Sequence, residues 1–320
     1  MNSVTITTGS RLHFGLLTKC ASLPRMFGGC GMMIDQPGYC VRLSRADRDQ
    51  ILATDAAAAR IETVLDQYRK SNQPRSECNR FHIEVTQAIP SHCGLGSGTQ
   101  LSLAVMQCLA LLCCEPNRSI RELALRSGRC KRSAIGLYGF EQGGFIVDGG
   151  KTEENQIGTL ISRTRIPAEW CCVLVTPTDE TGLSGQSEIA AFDRLPNMEP
   201  SLIDQLSRIV LLQMTPALHE ADFATFSEAV YQYGALVGDC FAAVQGGRYL
   251  GKQMPSLVDY VRKCGIAGVG QSSWGPTIFL LCEQRHQAEQ VVADLQSDKR
   301  WDCEYCISRP LNHGAVIEFD

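Results

Sequence analysis

An α+β fold in two parts is what the 320-residue chain predicts, and three observations carry it. Segments that alternate apolar and polar residues, as half-buried strands do, are interspersed with segments of helical periodicity. A glycine-rich turn near residue 95 joins a short alternating strand to a long apolar helix. After residue 150 the strand and helix pattern restarts with little change in composition. The boundary therefore falls near 150–168, with the two parts taken as 1–160 and 161–320.

Composition narrows the function classes. Apolar residues make up 44% and charged residues 20%, enough for a sizeable core. The net charge of −4 argues against a nucleic-acid partner, which would call for a basic face. No apolar run reaches the roughly 18–20 residues of a bilayer span, and the N-terminal MNSVTITTGSRLHFG lacks the pattern of an export signal. The expectation is a cytoplasmic protein acting on small molecules, with homodimerisation left open. The 16 cysteines then read as reduced thiols. Cys113-Cys114 and Cys171-Cys172 sit in apolar runs as small hydrophobes. Cys303-x-x-Cys306 is half of a zinc spacing without its second half.

The elements follow in order. Strands are expected at Val4–Thr8, Leu12–Leu17, Gly31–Asp35 and Tyr39–Leu43, with a turn at Gly28–Gly31. Ile61, Val64, Leu65 and Tyr68 recur at helical spacing in Ala56–Lys70, and a polar loop follows at Asn72–Asn79. FHIEVT over Phe81–Thr86 is an alternating strand. A turn at Ile89–Ser97 leads into the helix Thr99–Cys114, stopped by Glu115-Pro116-Asn117. Further helices are expected at Ser119–Ser127 and Ser133–Gln142, then a strand at Gly143–Asp148. In the second part strands are expected at Thr159–Ile166 and Cys171–Thr176, a Gly/Ser/Thr-rich loop at Pro177–Gln186, and helices at Leu202–Met214, Asp222–Phe241 and Ser256–Lys263. A second glycine-rich loop, Gly265–Gly275, precedes the strand Thr277–Leu281, the helix Gln284–Leu295 and closing strands.

The segment Pro90-Ser91-His92-Cys93-Gly94-Leu95-Gly96-Ser97-Gly98-Thr99-Gln100 carries the chemistry. Its three glycines let the backbone turn sharply and approach a ligand. Unpaired N–H groups at the helix start, together with the helix dipole, favour an anion there. Ser97 and Thr99 add hydroxyls that can donate or cap. Gly94, Leu95, Gly96, Ser97, Gly98, Thr99 and Gln100 are therefore the candidate phosphate-binding residues. No Lys-Ser/Thr follows the last glycine, so this is not a Walker loop. Cys93, beside a helix start, is placed where a thiol pKa can fall.

The pattern P-x-x-x-G-L-G-S-x-x-Q resembles the phosphate loop of the GHMP kinases, and Gly268-Val269-Gly270-Gln271-Ser272-Ser273-Trp274-Gly275-Pro276 resembles their third, glycine-rich motif. The resemblance implies a two-domain fold with the loop in a cleft between the domains. Mevalonate-type kinases carry S-G-x-D followed by Gly-Gly. Here Ser133 and Gly143-Gly144 are in register, but Gly136 stands where the kinases have the aspartate that serves as base. Ser10-Arg11-Leu12-His13-Phe14-Gly15, the run Phe140–Gly150 and Gly182-Leu183-Ser184-Gly185 are similar to the β-ribofuranosylaminobenzene 5′-phosphate synthase family. That resemblance implies a decarboxylating C-ribosyl transfer, joining phosphoribosyl pyrophosphate to 4-aminobenzoate with loss of CO2 and pyrophosphate, in methanopterin biosynthesis. A GHMP kinase using ATP and a non-catalytic sensor of a phosphorylated ligand are the alternatives.

Such a transfer needs anion binding, orientation of two substrates and a negative group near the ribosyl cation. Mg²⁺ or another divalent cation would help pyrophosphate leave. Arg11 and His13, two apart on a predicted strand, share a face and can hold a phosphate or the aryl carboxylate; a surface Arg and a core His are the plainer reading. Glu141 and Asp148, flanking Gly143-Gly144, can face the cation or hold a metal; a solvated or helix-capping carboxylate is the alternative. Asp179-Glu180 superficially resembles an acidic phosphoribosyl pyrophosphate motif but does not directly follow its strand.

Overall fold

The computed structural model describes residues 2–320 apart from 21, 72–79, 114, 116, 117, 155, 181, 183 and 184. The expected loop Asn72–Asn79 and parts of the Glu115–Asn117 stop and of the 177–186 loop lie outside the described residues.

The first sheet is built around two long strands, β1 (Ser3–Leu16) and β2 (Gly29–Arg45). Each spans two of the expected shorter strands. Ser10 continues β1 because the ladder absorbs the irregularity as register shifts between Thr8 and Ser10 and between His13 and Gly15. β2 runs beside β1 for nearly its whole length. Its later half pairs with β4 (Phe81–Gln87), beside the short β3 (Gln50–Leu52), and its earlier half with β5 (Phe145–Asp148). β6 (Leu160–Thr164) pairs with β5, so Asp148 opposes Leu160 across the position taken as the boundary. The last strand, β11 (Val316–Phe319), returns from the far end of the chain to pair with β1.

Helices α1 (Asp55–Ser71), α2 (Ser97–Leu112) and α4 (Ile135–Gln142) pack on this sheet, and α3 (Ile120–Arg126) packs on those three helices. α2 is buried on almost every side, which is why its sequence is apolar all round. The second sheet has the antiparallel order β10 (Cys303–Ser308), β7 (Cys171–Pro177), β9 (Ile278–Cys282), β8 (Val269–Gln271). Its own apolar core includes Val173, Val175, Leu257, Val261 and Leu280, with α9 (Met254–Lys263) and α10 (Arg285–Ser297) over it.

α8 (Phe223–Gln245) packs on both β1 and β8 and so joins the two sheets, with α5 (Gly185–Arg194), α6 (Pro200–Ile209) and α7 (Thr215–Glu220) packed against it. α5 begins inside the expected loop. The expected helix Leu202–Met214 is longer and passes through a π-type turn at Val210–Met214. Pro216 has no N–H to continue the ladder there, and Thr215 donates both its N–H and its hydroxyl to Val210 O, the hydroxyl at 2.8 Å. α8 runs four residues past its expected end, to a glycine cap at Gly246 with φ 86°.

Candidate active site

The glycine-rich turn and α2 open into a cavity of about 580 Å³ that both halves of the chain line. The loop is pinned from outside. Arg11 N–H donates to Leu95 O at 3.0 Å, and the Ser272 hydroxyl donates to Gly94 O at 2.8 Å. The backbone is so close that a Cβ at Gly94 would meet Ser272 O at 2.1 Å. Gly94 and Gly96 both have φ of 77°, the left-handed region that favours glycine. Gly96 is the N-cap of α2 and offers no side-chain cap, so the first turn of the helix faces the cavity.

Of the loop residues, Gly94, Gly96, Ser97, Gly98 and Thr99 line the cavity. Leu95 is buried in the core and anchors the turn. Gln100 is also buried. It accepts from the Thr8 hydroxyl and donates to Gly136 O, both at 2.8 Å, and so ties β1 to α4. Cys93 departs from its expectation: burial pushes its thiol up, and Glu304 adds to that.

Arg11 and His13 both reach the cavity from β1. Burial, and then the charge of Arg11, holds His13 well below the ordinary imidazole range, so His13 is neutral. Arg11 itself is lowered to about 10, mainly by burial; nearby Glu188 opposes the shift and Arg129 adds to it. One of its terminal nitrogens, Nη1, is buried without a partner.

Arg129 was not singled out by the sequence. It follows α3 and donates to the Thr99 hydroxyl at 3.0 Å, and a Cβ on Gly98 would lie 3.1 Å from its guanidinium. Burial and then Arg60 of α1 lower its pKa. Arg132 completes the group, stacked 4.6 Å over the Phe192 ring and paired at 3.2 Å with Glu188 of α5. Among the described residues that line the cavity, Glu188 is the only carboxylate, against Arg11, Arg60, Arg129, Lys131, Arg132 and Arg248. Arg132 pairs with Glu188 and Arg248 with Asp239, and the remaining cations, Arg11, Arg60, Arg129 and Lys131, together call for a polyanion. The sequence did carry a sign of it: Arg129-Cys130-Lys131-Arg132 is a basic run just before α4.

The opposite wall is apolar. Gly234, Val237, Gly238, Phe241 and Gln245 recur at helical spacing on one face of α8. Phe241 lies 4.8 Å from Trp274, and Phe192 6.2 Å from Trp274, between ring centres. Trp274 belongs to the third glycine-rich motif, whose Ser273 N–H donates to His13 O at 3.0 Å.

The two candidate carboxylates lie elsewhere. Asp148 is fully buried and accepts from Ala134 N–H at 2.7 Å and Gly150 N–H at 2.9 Å, fixing the entry to α4. Burial raises its pKa, and the two backbone donors oppose that. Glu141 is exposed at the end of α4, where Gln142 donates to it at 3.2 Å. Neither lines the cavity. Glu180 accepts from Lys252 N–H at 3.1 Å and orders the loop after α8.

A protein-held Mg²⁺ does not fit the donors present. Among the described residues the cavity offers one carboxylate, and Arg132 is paired with it. Among the described residues no three His, Cys, Asp or Glu side chains gather to hold a metal, and Cys303 and Cys306 are free thiols. No helix of the described residues is long and apolar enough to cross a membrane.

Comparison with known proteins fits this architecture. The GHMP kinases N terminal domain matches residues 57–141 and the GHMP kinases C terminal family matches 214–299. Mevalonate pyrophosphate decarboxylase from Streptococcus pyogenes superposes with a TM-score of 0.70 at 14% identity, covering 98% of each chain. Mevalonate-3-kinase from Thermoplasma acidophilum, bound to mevalonate 3-phosphate and ADP, gives 0.70 at 12%, covering 99% of each. A third structure, MDDEF in complex with MVAPP, AMPPCP and magnesium, gives 0.69 at 14%, covering 99% of each. These likenesses establish the fold. The β-ribofuranosylphenol 5′-phosphate synthase of Archaeoglobus fulgidus is 27% identical over 98% of this chain and 99% of its own. That of Methanothermobacter thermautotrophicus is 30% identical over 98% of both. At that identity over nearly its whole length, the chain belongs to the β-ribofuranosylphenol 5′-phosphate synthase family, within the GHMP kinase fold.

Proposed function

We propose that the protein is a decarboxylating C-ribosyltransferase that joins phosphoribosyl pyrophosphate to a benzoate bearing a 4-hydroxy or 4-amino group. The observation that carries this reading is the juxtaposition of the two walls: a phosphate loop ringed by arginines faces a box of aromatic rings across one cavity. The arginines match the phosphates of the donor, and the rings match a flat aryl acceptor.

The chemistry asks little of proton transfer. The C1–O bond of the ribosyl donor breaks and its electron pair leaves with pyrophosphate. The ring carbon that bears the carboxylate supplies a π pair to ribose C1. The ring–carboxylate bond then breaks, CO2 departs, and its electron pair restores the aromatic ring. A hydroxyl or amine at position 4 feeds electrons to the attacking carbon. No step needs the aspartate that Gly136 replaces. Arg11, Arg129 and the α2 N-terminus stabilise the charge that gathers on pyrophosphate. Neutral His13 adds no competing charge. Glu188, the one carboxylate among the described residues that line the cavity, is the group that would oppose the ribosyl cation. A divalent cation, if used, would be brought by the phosphates of the donor, since the described side chains offer no cage for it.

The test uses purified protein, phosphoribosyl pyrophosphate and either 4-hydroxybenzoate or 4-aminobenzoate labelled at the carboxyl carbon. Release of labelled CO2 together with an aryl-ribosyl product is expected. Phosphate transfer from ATP to a small alcohol, or binding without turnover, would overturn the reading in favour of a kinase or a sensor.

A further inference from the structure

The aromatic box has two polar ends of different character. One is cationic: Arg132 lies 4.6 Å over the Phe192 ring, and its Nη1 is buried without a partner. The other is neutral. Gln245 follows Phe241 by one turn on the same face of α8 and lines the same cavity.

The orientation of the Gln245 amide is locked by backbone groups that cannot exchange roles. Leu250 N–H can only donate, and it donates to Gln271 Oε1 at 2.6 Å. That turns Gln271 Nε2 towards Ser273 O, at 2.9 Å, and towards Gln245 Oε1, at 3.3 Å. At the far end Arg248 O can only accept, and it takes Gln245 Nε2 at 2.8 Å. A primary amide has two N–H groups and two lone pairs. One of each is committed here, and one of each is left for a ligand.

We infer that Gln245 is a specificity-determining residue that reads the 4-substituent of the aryl acid, while Arg132 takes its carboxylate. This rests on the functional reading above and extends it to the orientation of the acceptor. A benzoate with a 4-hydroxy or 4-amino group has one anionic end and one neutral hydrogen-bonding end, matching the ends of the box. Glu188, paired with Arg132, tempers the grip on a carboxylate that must leave as CO2. A full salt bridge there would stabilise the bound acid more than the transition state. A hydroxyl can use both open positions of the amide and an amine can use the acceptor. A methyl group uses neither.

Calorimetric titration with 4-hydroxybenzoate, 4-aminobenzoate and 4-methylbenzoate tests the assignment. Wild-type protein should bind the first two about tenfold or more tightly than the third. In Gln245→Met that preference should collapse to within about threefold, and in Arg132→Gln all three acids should weaken by a similar factor with the preference kept. Equal binding of the three by wild-type protein would overturn the inference without any variant, even if Gln245→Met fails to fold. So would a Gln245→Met protein that keeps the preference. If wild-type protein binds none of the acids and forms no product with phosphoribosyl pyrophosphate, the functional reading itself fails. If it forms product and the variant's preference is unchanged, only the role of Gln245 does.

Discussion

The two walls of the cavity are built on opposite principles. The N-terminal wall gathers charge: a helix start without a side-chain cap, two glycines at φ 77°, and arginines held close together and partly desolvated. Its free energy is kept in reserve, because like charges at close range destabilise the empty site until an anion arrives. The C-terminal wall gathers area. Its rings pack on one another, and its shape exists whether or not a ligand is bound. The first wall can bind tightly and choose poorly among polyanions. The second selects by shape and by the Gln245 amide beside its rings. Changes to the two walls should therefore separate cleanly by substrate.

The largest effect is expected at Arg129. Its guanidinium touches both Thr99 and the space over Gly98, so it stands at the phosphate position of the loop. Arg129→Ala should weaken phosphoribosyl pyrophosphate by about 2–3 kcal/mol, roughly a hundredfold, as loss of a charge-assisted contact does. The affinity for the aryl acid should stay within about twofold. Titration of the variant with each substrate checks this. A loss shared equally by both substrates would mean that the walls are not independent.

Asp148 sharpens the comparison from outside the cavity, because it is a carboxylate that the structure spends on backbone. Asn in its place keeps one acceptor for two N–H donors. Asp148→Asn should cost about 2 kcal/mol of stability by urea unfolding and leave both substrate affinities near wild type. The pH dependence has a definite sign. The folded-state pKa of Asp148 lies above its ordinary value, so the folded state binds more protons across that window. Wild-type stability therefore falls as pH rises from the ordinary carboxylate value through the raised one. The Asn variant lacks this decline, and its deficit should narrow as pH rises. A deficit that widens instead would show that the two backbone donors outweigh burial.

Local physics left a readable mark on some of these features and none on others. The phosphate loop announces itself because glycine spacing, a preceding strand and a following apolar helix are all contiguous in the chain. Arg11 and His13 could be placed on one face by strand periodicity alone. Arg129 could not be placed, because its role depends on Gly98 and Thr99, 30 residues away at the nearest, across a helix junction. Glu141 and Asp148 drew notice as acids beside a Gly-Gly turn, yet one meets solvent and the other the backbone of Ala134 and Gly150. Sequence shows which carboxylates are near a turn in the chain, and only packing shows which way they point. The last turn of α8 escaped notice because Ala-Ala-Val-Gln-Gly-Gly weakens the periodic pattern, and with that turn goes Gln245.

The smallest effect, and the one most specific to the apolar wall, is expected at Gly234. A Cβ at this position would meet no atom within 4 Å, although the residue sits within α8 and lines the cavity. Glycine inside a helix costs about 1 kcal/mol relative to a good helix former. Its open surroundings leave room for a side chain in the empty protein, but that room belongs to the cavity that the aryl acid would occupy. Gly234→Leu should therefore stabilise the protein by about 0.5–1 kcal/mol, seen as a rise in Tm. The same leucine should raise the KM for the aryl acid about tenfold by taking its volume, and leave the KM for phosphoribosyl pyrophosphate within about twofold. Stability and acceptor affinity would then move in opposite directions at a single residue, which no loss of folding can imitate. An unchanged KM for the aryl acid in the stabilised variant would move the acceptor off this face of α8.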